Sequence, residues 1–149
     1  MNFNLDFSID PLDIESCLIA ILCGFLIGLE RQLKGKPAGI RTSILVCLGA
    51  YAFVAIAGSF EVDSSPSRVI GQIVTGVGFL GAGLMLTKDG LIHGVTSAAS
   101  IWILAGIGSM IGVHKPMGAL TLTALVLIVL IGVNLMERLF KKLKRGFYK

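Results

Sequence analysis

Five long apolar stretches separated by short polar ones organise the chain: Ile14–Leu29, Thr42–Phe60, Val69–Leu86, Val95–Val113 and Met117–Met136. Each approaches the ~20 apolar residues that a helix needs to cross ~30 Å of hydrocarbon. None alternates apolar and polar residues in the ~10-residue units of a transmembrane β-barrel. The pattern predicts an all-α membrane protein, a bundle of five transmembrane helices forming a single domain over residues 1–149. Before the first stretch, Asp10 and Pro11 with Asp13 shortly after have the form of a helix start: a cap, a proline at the first helical position, an acid in the first turn. No basic residue precedes Arg31, so the n-region of a cleavable signal peptide is missing and the first span is expected to stay in the mature protein.

Beyond the fifth span, residues 137–149 form a basic amphipathic tail. Leu135, Met136, Leu139, Phe140, Leu143 and Phe147 recur at helical spacing, interleaved with Arg138, Lys141, Lys142, Lys144, Arg145 and Lys149. Such a helix is expected to lie along a membrane surface, where anionic lipids add roughly 1 kcal/mol per cation.

Composition agrees with the pattern. Only 15% of the residues are charged and 54% are apolar, with a mean hydropathy of +0.86; soluble domains carry roughly 25% charged residues. A water-soluble globule, a disordered tail and a nucleic-acid-binding module are thereby disfavoured, despite the net charge of +4. Three cysteines are too few for a disulfide scaffold, and Cys17, Cys23 and Cys47, without CxxC spacing, are expected to be small apolar fillers.

Charge placement sets a topology. Arg31, Lys34, Lys36 and Arg41 lie between spans one and two, Lys88 lies between spans three and four, and six more cations follow span five. One side thus holds eleven of the 13 basic residues, and only Arg68 and Lys115 fall on the other. Asp6, Asp10, Asp13, Glu15, Glu61 and Asp63 also fall on that second side. Cytoplasmic loops are enriched in Lys and Arg, so the N-terminus is expected outside and the C-terminus in the cytoplasm of a multi-pass inner-membrane protein.

Nineteen glycines are more than turns require. Gly76, Gly78 and Gly81 stand in GxGxxG spacing, but inside an apolar span rather than between a strand and a helix, so a dinucleotide site is not supported. Gly71, Thr75, Gly78 and Ala82 share a face, as do Gly94, Ala98, Ala105, Gly108 and Gly112 in the next span. Small residues let membrane helices approach closely. Spans three and four are therefore expected to pack together or across a dimer interface, with Gly71, Thr75, Gly76, Gly78, Gly81 and Gly83 as packing positions. Alternatively, the glycines break span three and expose backbone groups to an ion.

No ionisable residue lies near a midplane, where ion transport often leaves one. Glu61 and Asp63 suit at most weak magnesium binding, and His93 and His114 lie at opposite faces, so no metal site or cofactor is expected. Polar residues gather instead at span ends: Glu30, Arg31, Arg41, Lys88, Asp89 and His93 on the basic side are expected to form one charged cluster, and Arg68 and Gln72 share a face on the other. No Walker loop, metalloprotease helix or nucleophile–base set appears, and enzyme activity is not expected.

The segments GLERQLKGKPAGIRT (Gly28–Thr42), SRVIGQIVTGVGFLGAGLML (Ser67–Leu86) and HGVTSAASIW (His93–Trp102) together resemble the MgtC/SapB family of bacterial inner-membrane proteins, in order across most of the chain. The resemblance implies about five spans, an outer N-terminus and an inner C-terminus, with Glu30, Arg31, Arg41, Arg68, Gln72, Gly76, Gly78, Phe79, Gly81, Gly83, Thr96 and Trp102 as motif residues. It also implies a regulator of other membrane machinery, such as the rotary ATP synthase or a P-type ATPase, linked to low-magnesium or stress adaptation. A small ion channel or transporter for magnesium or protons is the alternative. Two departures favour the plainer SapB-like unit over the virulence-associated branch. No soluble C-terminal domain follows span five, and position 96 is Thr where that branch carries Asn. The expected partners are membrane lipids, a second copy of the chain and a membrane protein, with no nucleic acid.

Overall fold

The computed structural model describes residues 11–59, 66–88 and 91–139. The chain folds as helices α1 (Ile14–Leu33), α2 (Ile40–Gly58) and α3 (Pro66–Gly83), strands β1 (Leu86–Lys88) and β2 (Leu91–His93), and helices α4 (Val95–Gly112) and α5 (Pro116–Leu139). By length and composition, α2, α4 and α5 are apolar enough to cross a membrane. The expected tail beyond residue 139 lies outside the described residues, as do Asp6, Asp10, Glu61, Asp63 and Asp89.

Helix α1 begins one turn later than the Asp10–Pro11 signal suggests. Asp13 is its N-cap, its carboxylate accepting from the backbone N–H groups of Glu15 (3.1 Å) and Ser16 (3.0 Å). Hydrogen bonds from Ser16, side chain first and backbone second, hold the Asp13 carboxyl below the usual range for an aspartate. The cap is also tied to α2: the Tyr51 hydroxyl accepts from the Asp13 N–H at 2.8 Å and donates to its carbonyl at 3.3 Å.

Helices α1, α3 and α5 run one way and α2 and α4 the other. Gly24 and Gly28 of α1 face Ile44 and Ile40 of α2 in antiparallel order, whereas Gly108 and Gly112 of α4 face Ala50 and Val54 of α2 in parallel order. Helix α4 touches all four other helices. Its apolar residues surround the axis instead of forming a stripe, as suits a helix buried by its neighbours. Leu104, Ile107 and Ile111 pack with Cys23 and Ile27 of α1 and Cys47 and Tyr51 of α2 to make the core.

Two expectations are corrected. The link between α3 and α4 is not a plain loop but an antiparallel hairpin pairing Leu86 with His93 and Lys88 with Leu91. Five helices still make up most of the fold, and helix α3 ends at Gly83, three residues before its apolar stretch does. The small-residue face of α4 also serves a second neighbour: Gly108 and Gly112 seat against α2, while Ala98 meets Gly81 of α3.

Candidate functional site

Helix α1 continues past the predicted end of span one, carrying Glu30 and Arg31 into its last turn, where both are buried (8% and 2% exposed). Arg31 Nε donates to Glu30 Oε2 at 2.6 Å. Lys34 Nζ stands 2.5 Å from Glu30 Oε1, off the hydrogen-bonding direction, so that contact is ionic and leaves Oε1 without a hydrogen bond. The same ammonium donates to the Leu130 carbonyl at 3.2 Å, fastening the end of α1 to α5. Removing such charges from water costs several kcal/mol per ion, and the pairing offsets that cost. Both cations lie at the C-terminus of α1, where the helix dipole also favours them.

The short connection to α2 holds this cluster in place. The Lys36 N–H donates to the Arg31 carbonyl at 3.0 Å. Gly39, the N-cap of α2, has no side chain to cap with, and Gln32 Oε1 accepts from the Ile40 N–H at 3.2 Å instead. Arg31 thereby faces a cavity of about 550 Å³ bounded by the α1–α2 connection, the β2–α4 junction and α5, with Lys36, His93, Thr96 and Asn134 in its walls.

The expected charged cluster is therefore only partly assembled. Glu30 and Arg31 pair with each other and with Lys34, a residue the sequence reading did not single out; a signal for it was the i,i+4 spacing from Glu30. They are buried, so they are not a surface docking patch. Arg41 is exposed, and among the described residues no ion pair or hydrogen bond joins it to the cluster. Lys88 lies in β1, at the bundle end shared with Arg31. Thr96 is exposed at the cavity, and Trp102 is 52% exposed on α4. His93 and His114 lie near opposite ends of α4, and the described residues contain no group of three His, Cys, Asp or Glu that could hold a metal.

Helix α3 differs from what its glycines suggest. Only Gly81 is buried, its position 3.5 Å from Ala98 Cβ; a methyl group added at Gly71, Gly76, Gly78 or Gly83 would meet open space. Helix α3 does pack on α4, but among its glycines the close approach is confined to Gly81. Thr75 is exposed and donates to the Gly71 carbonyl at 3.1 Å. Arg68 is exposed, and Phe79 is 81% exposed. Gln72 lines an open apolar groove of about 720 Å³ between α2 and α3. The close-packing glycines are found instead as Gly24-xxx-Gly28 and Gly108-xxx-Gly112, two GxxxG pairs the sequence displays openly.

A helical, apolar bundle with a buried Glu–Arg pair and a half-buried Lys at one end fits a membrane protein, and sequence comparison supplies its family. A family model described as "MgtC family" matches residues 17–139, and the chain belongs to that family. It is 38% identical over 141 residues to "Protein MgtC" of Brucella abortus (strain 2308), covering 90% of this chain and 58% of that one. It is 41% identical over 114 residues to "Protein MgtC" of Salmonella typhimurium (strain LT2), covering 76% and 49%. It is 45% identical over 107 residues to "Putative magnesium transporter YhiD" of Escherichia coli (strain K12), covering 66% and 49%. The chain thus spans about half the length of these relatives. No solved structure matches it.

Proposed function

We propose that the chain is a multi-pass inner-membrane protein that crosses five times, N-terminus outside and C-terminus in the cytoplasm. We further propose that it regulates other membrane machinery by lateral contact, in magnesium homeostasis or stress adaptation, and is not an enzyme. The alternating helix directions and the cations at one bundle end support the topology. The observation that carries the regulatory reading is α3: eighteen residues with one buried, and four small positions open to a neighbour. Close approach of backbones drives helix association in lipid, so this face suits a second copy of the chain, and through the resulting dimer a partner such as an ATP synthase or a P-type ATPase.

Three of the buried hydroxyls support the same choice. Ser100, Ser109 and Thr123 each donate at 2.8 Å to the carbonyl four residues earlier in their own helices, so these protons are spent within the chain. The second reading, a magnesium or proton conduit, is favoured by the function named for the Escherichia coli relative. Purified protein in liposomes separates the two. The regulatory reading expects magnesium and proton flux equal to that of empty liposomes, with wild type dimeric in nanodiscs and Gly78→Leu monomeric. Flux abolished by Gly78→Leu overturns it in favour of the conduit, and a monomeric wild type removes the dimer.

A further inference from the structure

Gly94, the N-cap of α4, has φ +91°, and a Cβ there would collide with the Leu84 carbonyl. Only glycine fits, so no side chain caps this 18-residue helix. The first turn consequently has unspent donors: the N–H groups of Val95, Thr96 and Ser97 have no acceptor among the described residues, and all three residues line the 550 Å³ cavity. The first intrahelical bond closes only at Ala98, whose N–H donates to the Gly94 carbonyl at 2.9 Å. An uncapped helix start concentrates positive potential and aligned donors.

A second observation points into the same space. The Arg31 side chain is 3% exposed and lines the cavity, yet its only hydrogen bond among the described residues is from Nε to Glu30. Its two terminal amino groups have no protein acceptor there. Guanidinium donors that face a cavity with no protein acceptor are open to an oxygen of a ligand or of water. Lys36 adds a further cation to the wall, and no carboxylate lines it. Glu30 is engaged by Arg31 and Lys34, so three nearby cations face one carboxylate.

We propose that this cavity binds a phosphate group, held between the α4 N-terminus and the Arg31 guanidinium. Three backbone N–H groups, the Thr96 hydroxyl and two guanidinium amino groups exceed what the two oxygens of a carboxylate can accept. A tetrahedral oxyanion with three or four oxygens matches them. The remaining wall mixes the apolar Ile92, Val129, Leu130 and Val133 with the polar His93 and Asn134. A phospholipid headgroup and a free phosphate share the recognised chemistry. The site does not depend on the regulatory reading above, and its test needs no flux or oligomer measurement.

The experiment uses the whole purified protein and measures its thermal midpoint in detergent against inorganic phosphate. Chloride at matched ionic strength is the control. A parallel arm compares nanodiscs of phosphatidylcholine with nanodiscs containing phosphatidic acid. Two variants are chosen to fold. Thr96→Asp places an acid in the first turn of α4, which favours the helix but repels an anion. Lys36→Gln removes an exposed cation. Phosphate is expected to raise the wild-type midpoint by several degrees, with apparent affinity at least about tenfold weaker in Thr96→Asp and reduced in Lys36→Gln. A shift seen only with phosphatidic acid, and lost in Thr96→Asp, supports the proposal with the headgroup as source. Equal shifts in wild type and Thr96→Asp, or no shift in either arm, overturn it.

Discussion

The contact between α1 and α2 makes a sharp demand at Gly24. A Cβ there would lie 2.7 Å from Ile44 Cα, 2.8 Å from the Ser43 carbonyl oxygen and 2.9 Å from Ile44 N. All three are backbone atoms, so no rotamer change relieves the collision. The closest approach is about 0.8 Å short of the roughly 3.5 Å at which carbon atoms meet comfortably. Gly24→Ala must therefore push the two helices apart, at an overpacking cost of about 1–3 kcal/mol. Alanine's better helix propensity returns about 0.5–1 kcal/mol, leaving a net loss centred on about 1 kcal/mol and at most about 2.5 kcal/mol. The thermal midpoint in detergent should fall by about 2–4 °C at that central value, and by about 2–12 °C relative to the control below, which keeps the propensity gain without the collision. Gly106→Ala is the control, since nothing lies within 4 Å of a Cβ at that position, and it should hold or raise the midpoint. If Gly24→Ala matches the control, the α1–α2 approach described above is wrong.

Glu30→Gln leaves Arg31 and Lys34 buried or half-buried without their carboxylate and should cost about 3 kcal/mol in a denaturant titration; adding Arg31→Met should recover most of it, and an unchanged single variant would refute the pairing. Tyr51→Phe removes the hydroxyl that bridges the Asp13 backbone and should cost about 0.5–1.5 kcal/mol, with faster hydrogen exchange at residues 13–17 as the local readout. The Asp13 carboxyl titrates lower in the folded chain than in the unfolded one. Its contribution is therefore present at neutral pH and is lost as pH falls below about 4; Asp13→Asn should flatten that acid limb, and an identical acid profile would refute it.

Much of the helical plan was visible in the sequence because a span is a long one-dimensional signal. The runs later found as α2, α4 and α5 lie within a few residues of their apolar stretches. Ends were harder. By polarity alone Glu30 and Arg31 would close a span, yet their mutual neutralisation, with Lys34, lets α1 carry them onward. The hairpin was legible in principle, since Asp-Gly, the dipeptide that two-residue hairpin turns favour, stands in the sequence between Leu86–Lys88 and Leu91–His93. Its surroundings look like a loop only because each strand has three residues. The glycines illustrate the limit of counting. The α3 run is the densest in the chain and the least packed, whereas Gly24 and Gly108 are sparse and held tight. Density along the chain does not say which face a neighbour occupies. The cavity at Arg31 was equally out of reach, because it joins residues more than sixty positions apart.

The position of α4 at the centre of the bundle has a consequence for biogenesis. The chain must be synthesised through three helices before the one that contacts them all emerges. Until then Cys47 and Tyr51 have no Leu104 or Ile107 against them, and α1 and α2 are joined by their glycine approach, by Cys23 and Ile27, and by the Tyr51 hydroxyl on Asp13. That early pair is a placeholder: α4 slots between segments already made, and α5 then closes the core with Ala119, Val126 and Leu130. A ribosome stalled before residue 95 would hold a loose hairpin in the lipid, open to whatever quality control samples unfinished membrane chains.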